Sequence, residues 1–284
     1  MLDARALLRE AGLTAKKSFG QNFLVAEPVV RAIARLCVAD DEVKRAVVVE
    51  LGAGLGALTS ELVERAQRVV AVERDRDLVP VLRNALAASI DAGVLQVEEA
   101  DAQSIDVPAL LGPAGDTVRV LAGNLPYQIT GRLLEGAVHA ASGIDRAVFM
   151  VQEEVADRLV ARPGTKAYGA LSVFVQAAFA VKKEMVVSRG CFHPAPEVTS
   201  AVVRLTALRP ARAEETPTFQ AVVKGAFAMR RKTLRNAWRG LASGEALAAA
   251  AATAGVSLDD RGEVLDVDAF ARMARALGTE GRSA

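Results

Sequence analysis

Five short apolar runs alternate with amphipathic stretches through the first half of the chain, and that alternation constrains the fold more tightly than any other feature. The runs Ala46 to Glu50, Val69 to Glu73, Val94 to Glu98, Val118 to Gly123 and Ala147 to Gln152 are largely β-branched or apolar and are bounded by turn residues, which predicts strands. Between them, Ala57 to Arg65, Leu78 to Ala88 and Ile129 to Ala140 carry helical spacing. Strands that alternate with helices imply a parallel sheet covered on both faces. After a further helical stretch near Ala170 to Ala180, two more strands are predicted at Met185 to Ser188 and Ala201 to Leu205. A proline-containing loop joins them, so they form an antiparallel edge. The segment from Arg209-Pro210 to Thr216-Pro217 reads as a linker. Beyond it Phe219 to Met229, Leu234 to Leu241, Ser243 to Ala254 and Val267 to Leu277 look helical. The expectation is an α/β domain over 1–207 and a helical domain over 208–284.

A chain of 284 residues that is 51% hydrophobic can fill a core of this kind. No window approaches the roughly 20 uninterrupted apolar residues of a membrane span. The opening segment carries Asp3 and Glu10 among its arginines and has no continuous apolar stretch, so neither a secretory signal nor a transit peptide fits. A cytoplasmic protein is expected, and nothing demands more than a monomer. Cys37 and Cys191 are the only cysteines and lie in no metal-ligand spacing, so no metal is expected. His139 and His193 read as structural.

Net charge is only +1, but the average hides a local excess. Lys224, Arg230, Arg231, Lys232, Arg235 and Arg239 fall between Thr216 and Ser243 with no acid among them. Lys16 and Lys17 precede the segment Ser18-Phe19-Gly20-Gln21-Asn22-Phe23-Leu24. A charge run is ordinarily a solvated helix face; a run lacking compensating acids suits a polyanion.

The first strand runs into Glu50-Leu51-Gly52-Ala53-Gly54-Leu55-Gly56, and then a helix opens. Glycines here allow positive φ and close backbone approach, and the helix N-terminus behind them offers unpaired N–H groups, so a nucleotide-like ligand fits. Glu73 ends the second strand, 21 positions after Gly52, where a carboxylate can accept both hydroxyls of a ribose. The same glycines satisfy the looser dinucleotide pattern, which leaves a nicotinamide or flavin open at this point. The third strand is followed by Asp101 and the fourth by Asn124-Leu125-Pro126-Tyr127. An amine conjugated to a purine donates two hydrogen bonds in the ring plane; Asn124 and a neighbouring carbonyl supply acceptors, and Tyr127 supplies a π face. The plainer reading is a strand-to-helix turn with Tyr127 as packing. Hydride chemistry has no use for such a pocket, whereas methyl transfer to an amine does.

With these residues in place the sequence resembles the ribosomal RNA adenine dimethyltransferases, class I S-adenosylmethionine-dependent enzymes. The resemblance runs from about Lys16 to Arg239. It passes through Lys17 to Leu24, Glu50 to Thr59, Asn124 to Tyr127, Lys166-Ala167-Tyr168-Gly169, Phe192 to Ser200 and Arg230 to Asn236. Ala53 stands where many members carry proline, a small loosening of the turn. The resemblance implies a Rossmann-like seven-stranded sheet with an antiparallel edge hairpin, followed by a small all-helical C-terminal domain that contributes to RNA binding. It implies that S-adenosylmethionine is held by Asn22, Leu24, Gly52, Gly54, Glu73, Asp101 and Asn124. The target adenine would be held by Asn124, Leu125, Pro126 and Tyr127, with Phe192 closing the pocket opposite Tyr127. RNA contacts fall to Lys16, Lys17, Lys224, Arg230, Arg231, Lys232 and Arg235. The substrate implied is 16S rRNA in a small ribosomal subunit or an assembly intermediate. Competing readings are a resistance enzyme acting on large-subunit RNA, a non-catalytic nucleic-acid-binding factor on the same fold, and a nicotinamide oxidoreductase.

Overall fold

The computed structural model of the protein describes residues 2–16, 19–113, 115–229 and 231–280. Its strands are β1 (Phe23–Leu24), β2 (Ala46–Leu51), β3 (Arg68–Glu73), β4 (Leu95–Glu99), β5 (Val118–Asn124), β6 (Arg146–Gln152), β7 (Phe179–Val187), β8 (Phe192–His193) and β9 (Ser200–Ala207). Its α-helices are α1 (Ala4–Glu10), α2 (Glu27–Cys37), α3 (Ala57–Arg65), α4 (Leu78–Ala85), α5 (Ala87–Asp91), α6 (Val107–Leu111), α7 (Thr130–His139), α8 (Glu153–Leu159), α9 (Ala170–Ala178), α10 (Pro217–Ala228), α11 (Leu234–Ala237), α12 (Gly244–Ala254) and α13 (Val267–Glu280).

Seven strands form one sheet in the order β4-β3-β2-β5-β6-β9-β7. The five strands predicted as buried runs pair in parallel, with β2 between β3 and β5, and β9 runs antiparallel to β6. Every residue of β2 is buried, which is why its sequence shows no alternation. Strand order reverses beside β2, because the chain returns from β4 to the far side of β2 as β5. In such a sheet the loops at the carboxyl ends of the strands flanking the reversal part from each other and leave a crevice. The core on one face joins Val30, Ile33 and Cys37 of α2 and Leu58 and Leu62 of α3 to Val48, Val69, Ala71, Val120 and Val148 of the sheet. Proline at the start of α2 fixes φ where no intrahelical N–H bond is due.

The chain divides after Ala207, and the helical unit comprises Asp157–Val181 together with Leu208–Ala284. Sequence reading placed 157–181 in the first domain. Its packing explains the difference: Tyr168 is fully buried and donates its hydroxyl to the Leu265 carbonyl at 2.9 Å, and Val173 and Ala177 join a core with Phe219, Trp238 and Phe270. The stretch expected as a strand from Met185 to Ser188 is the end of the longer β7, and the loop towards β9 contains β8, which pairs with β1 in a separate two-stranded sheet. Among the described residues no helix is long and apolar enough to cross a membrane, and no cluster of three or more His, Cys, Asp or Glu side chains could hold a metal ion.

Candidate active site

The turn after β2 is fastened to β3 by its own backbone: the N–H groups of Gly52 and Ala53 both donate to the Val72 carbonyl, at 2.9 and 3.1 Å. Reaching that carbonyl puts Gly52 at φ 73° and Gly54 at φ 57°, in the left-handed region where a side chain is strained. The turn delivers the Gly54 N–H to Glu73 Oε2 at 2.8 Å, while the Asp75 N–H donates to Glu73 Oε1 at 2.8 Å. Glu73 is thereby oriented, with the Arg74 N–H as a further donor, and the carboxylate keeps acceptor capacity for a ligand hydroxyl. Burial raises its pKa above the ordinary carboxylate range. Glu50, at the end of β2, is buried more deeply and takes the Thr59 hydroxyl at 2.6 Å. Burial, with a smaller contribution from Glu73, pushes its carboxyl up to about 8.

Two strands further on, Asp101 accepts the Gln103 N–H at 3.0 Å and lies 3.7 Å from the Arg74 guanidinium. At the end of β5, Asn124 Nδ2 donates to the main-chain carbonyl of Asn22 at 3.0 Å, which leaves Oδ1 as an acceptor. The Leu125 N–H is tied to the Met150 carbonyl at 3.0 Å. The Pro126 carbonyl takes both the Ile129 N–H at 3.1 Å and the Thr130 hydroxyl at 3.0 Å as α7 opens, so its two lone pairs are committed. Of the two carbonyls considered from sequence, Leu125 is therefore the better acceptor for a ligand. The Tyr127 hydroxyl pairs with Ser200 Oγ at 2.7 Å, and Ser200 is fully buried. That contact fixes the orientation of the aromatic ring.

One cavity unites these groups. Asn22, Leu24, Gly52, Gly54, Glu73, Asp101, Asn124, Leu125, Pro126 and Tyr127 all line it, as do Phe19, Glu50 and Arg74. Phe192 does not. It is 3% exposed, faces Leu24 across the β1–β8 pair and packs in the core, so the structure gives it a packing place where an adenine wall was expected. Lys16, expected at RNA, is held instead by Asp75 and Asp77, each at 2.6 Å. Lys224, Arg231, Lys232 and Arg235 are exposed on the helical unit, with Arg235 3.2 Å from Asp259. Lys17 and Arg230 lie outside the described residues.

The family model for the ribosomal RNA adenine dimethylases matches residues 12–278. The chain belongs to that family. This dimethylase is 43% identical over 276 residues to the ribosomal RNA small subunit methyltransferase A of Geobacter metallireducens, covering 95% of this chain and 98% of that one. It is 44% identical over 275 residues to the protein of the same name from Deinococcus radiodurans, covering 96% and 89%. Among solved structures, a dimethyladenosine transferase from Plasmodium falciparum superposes with a TM-score of 0.74 at 21% identity, covering 91% of this chain and 98% of that one. The 23S rRNA methyltransferase ErmE superposes at 0.67 and 24% identity, covering 90% and 100%. At those identities the structures speak for the fold alone, which is that of the class I methyltransferases. As a family member the dimethylase is an S-adenosylmethionine-dependent ribosomal RNA adenine dimethyltransferase.

The donor set fits that cofactor. S-adenosylmethionine carries a ribose diol and an adenine amino group, all hydrogen-bond donors, and Glu73 and Asp101 put acceptor oxygens on the cavity wall. The turn is also kept slim: Gly54 sits at positive φ, and a Cβ there would stand 3.2 Å from the Phe23 ring, which would have to give way. Sequence reasoning missed Asp75, Arg74 and the Ser200 contact with Tyr127. A signal existed for Ser200, which closes the quoted stretch from Phe192; Asp75 is one of several acids in a charged loop, and nothing in the sequence separates it from Asp77.

Proposed function

We propose that this dimethylase transfers methyl groups to N6 of two adjacent adenosines in the 3′-terminal hairpin loop of 16S rRNA, within a small ribosomal subunit or assembly intermediate, as a cytoplasmic monomer. The observation that carries this reading is the acceptor pair at the end of β5. Asn124 Oδ1 and the Leu125 carbonyl stand beside the Tyr127 ring in the same cavity as Glu73 and Asp101. The bound cofactor supplies an electrophilic methyl carbon on sulfur. Glu73 accepts the ribose hydroxyls, Asp101 accepts the adenine amino group of the cofactor, and Asn22, Leu24, Gly52 and Gly54 complete its enclosure. The target amine is weakly nucleophilic because its lone pair is delocalised into the ring. Asn124 and Leu125 hold both of its protons as charge develops on nitrogen, and Tyr127 adds a cation–π contribution. Much of the rate then comes from orientation, and proton loss to water can follow the transfer. A stacked base cannot reach this depth, so the target adenosine enters unpaired or flipped. The small-subunit substrate is preferred over a large-subunit one because the relatives at this level of identity are small-subunit methyltransferases by name.

Incubating the protein with unmodified small subunits and labelled S-adenosylmethionine, then mapping modified nucleosides by mass spectrometry, tests the reading. Dimethyladenosine at two neighbouring positions is expected; small subunits that take up no label, while large subunits incubated in parallel do, would refute it. The basic run from Lys224 to Arg239 is taken as the phosphate contact. If all six of its cations engage RNA, affinity should fall with salt on a log–log slope of roughly −4 to −5. A flat response in a filter-binding titration would make the run a solvated face.

A further inference from the structure

Lys16 and Asp75 join the amino-terminal segment to the ribose carboxylate, and no role in cofactor binding or RNA contact assigned above explains that joint. The Asp75 side chain is only 2% exposed. Its Oδ1 receives Lys16 Nζ at 2.6 Å and the Asp77 N–H at 3.1 Å, and its Oδ2 receives Gln21 Nε2 at 2.7 Å. Its own N–H is the group that orients Glu73. A carboxylate this enclosed is costly without a counter-charge, and Lys16 supplies it. The pairing in turn raises the Lys16 pKa and lowers that of Asp75.

The same lysine shapes the segment that follows. The Lys16 N–H donates to Gln21 Oε1 at 2.8 Å, folding the chain so that the amide of Gln21 reaches Asp75. Phe19, inside that turn, lies under two cations, with Lys16 Nζ 5.4 Å and the Arg74 guanidinium 4.7 Å from its ring centroid. Asn22 comes next and offers its carbonyl to Asn124. The segment carrying Asn22 and Leu24 is therefore fastened at two points: to the loop after β3 through Lys16, Gln21 and Asp75, and to β5 through Asn124. Asn124 lines the cavity itself, and Asp75, which does not, reaches it through its N–H on Glu73, which does.

We infer that Lys16 and Asp75 are positioning residues for the cofactor, a latch that holds the Asn22–Leu24 segment in register with Glu73, so that Lys16 serves cofactor affinity rather than RNA phosphate. The inference rests on the reading of Glu73 as the ribose acceptor. It is tested with full-length Lys16→Met, Lys16→Arg and Asp75→Asn proteins. S-adenosylmethionine dissociation constants are measured by calorimetry, RNA affinity by gel shift, and KM for the cofactor by methylation assay. Lys16→Met and Asp75→Asn should each weaken cofactor binding about tenfold, the scale of a hydrogen-bonded charge, with KM rising in parallel. The double variant should bind no worse than the weaker single one, because both remove the same joint. Lys16→Arg should restore most of the affinity, which a general loss of folding would not allow. RNA affinity should be unchanged throughout. Cofactor affinity unaltered in Lys16→Met, or a loss of RNA affinity that accompanies or replaces the cofactor effect, overturns the latch. Wild-type protein that bound no S-adenosylmethionine would overturn the cofactor reading and the latch with it; normal wild-type binding beside an unaffected Lys16→Met protein overturns the latch alone.

Discussion

Replacing Asn124 by Ala should lower the single-turnover rate of methyl transfer by about 10²–10³, the effect of removing one preorganised polar group from the reacting centre. Two losses combine. The amine nitrogen keeps the Leu125 carbonyl but loses the partner for its second proton, so the positive charge that develops on nitrogen is less well held. The Asn22 carbonyl also loses the donor that ties the amino-terminal segment to β5, so cofactor affinity should fall as well, by a smaller factor. Saturating cofactor and RNA in a quenched-flow experiment separates the two, because only the first loss survives saturation. The fold should be untouched, since the side chain lies at the cavity wall rather than in the core. A rate constant within a few-fold of wild type would show that Asn124 fastens the segment and takes no part in chemistry.

The five parallel strands and the helices between them were legible because each is a local signal: a β-branched run or a helical period persists for five or more residues and needs no partner to be recognised. The glycine turn, Glu73 and the Asn124 tetrapeptide were legible because spacing along a βα unit translates directly into position at one sheet edge. What escaped was tertiary. The pairing of Phe23–Leu24 with Phe192–His193 involves two residues on each side, too short for any periodicity, and it is this pairing that buries Phe192. Lys16 reads as a cation free for phosphate until the loop after β3 brings Asp75 and Asp77 to it. The segment Asp157–Val181 follows β6 without a linker, and only the burial of Tyr168, Val173 and Ala177 shows that it belongs with the later helices. The depth of Glu50 was likewise hidden, because the same acid at the end of an edge strand would face water.

Trp238→Ala should destabilise the helical unit by about 3–5 kcal/mol, the range for truncating a large buried aromatic side chain. Trp238 is fully buried, its indole N–H donates to the Val222 carbonyl of α10 at 2.8 Å, and Gly225 of the same helix leaves room for the ring: a Cβ there would meet Trp238 at 3.2 Å. The surrounding core of Phe219, Leu234, Leu247 and Phe270 is built from side chains on four different helices and cannot close over so large a void without shifting several of them. The functional consequence follows from the flanking sequence. Arg235 and Arg239 are exposed on either side of Trp238, and the basic run holds its geometry only while the tryptophan anchors it. RNA affinity should therefore fall in the variant while S-adenosylmethionine affinity holds, because the residues lining the cofactor cavity all belong to the other unit. Denaturant unfolding followed by circular dichroism, with separate calorimetric and gel-shift titrations, reads both effects. Trp238→Phe, which keeps most of the volume and loses the hydrogen bond, should lie between the variant and the wild type. Equal losses of cofactor and RNA affinity in Trp238→Ala would mean that the helical core supports the whole molecule rather than the RNA contact alone.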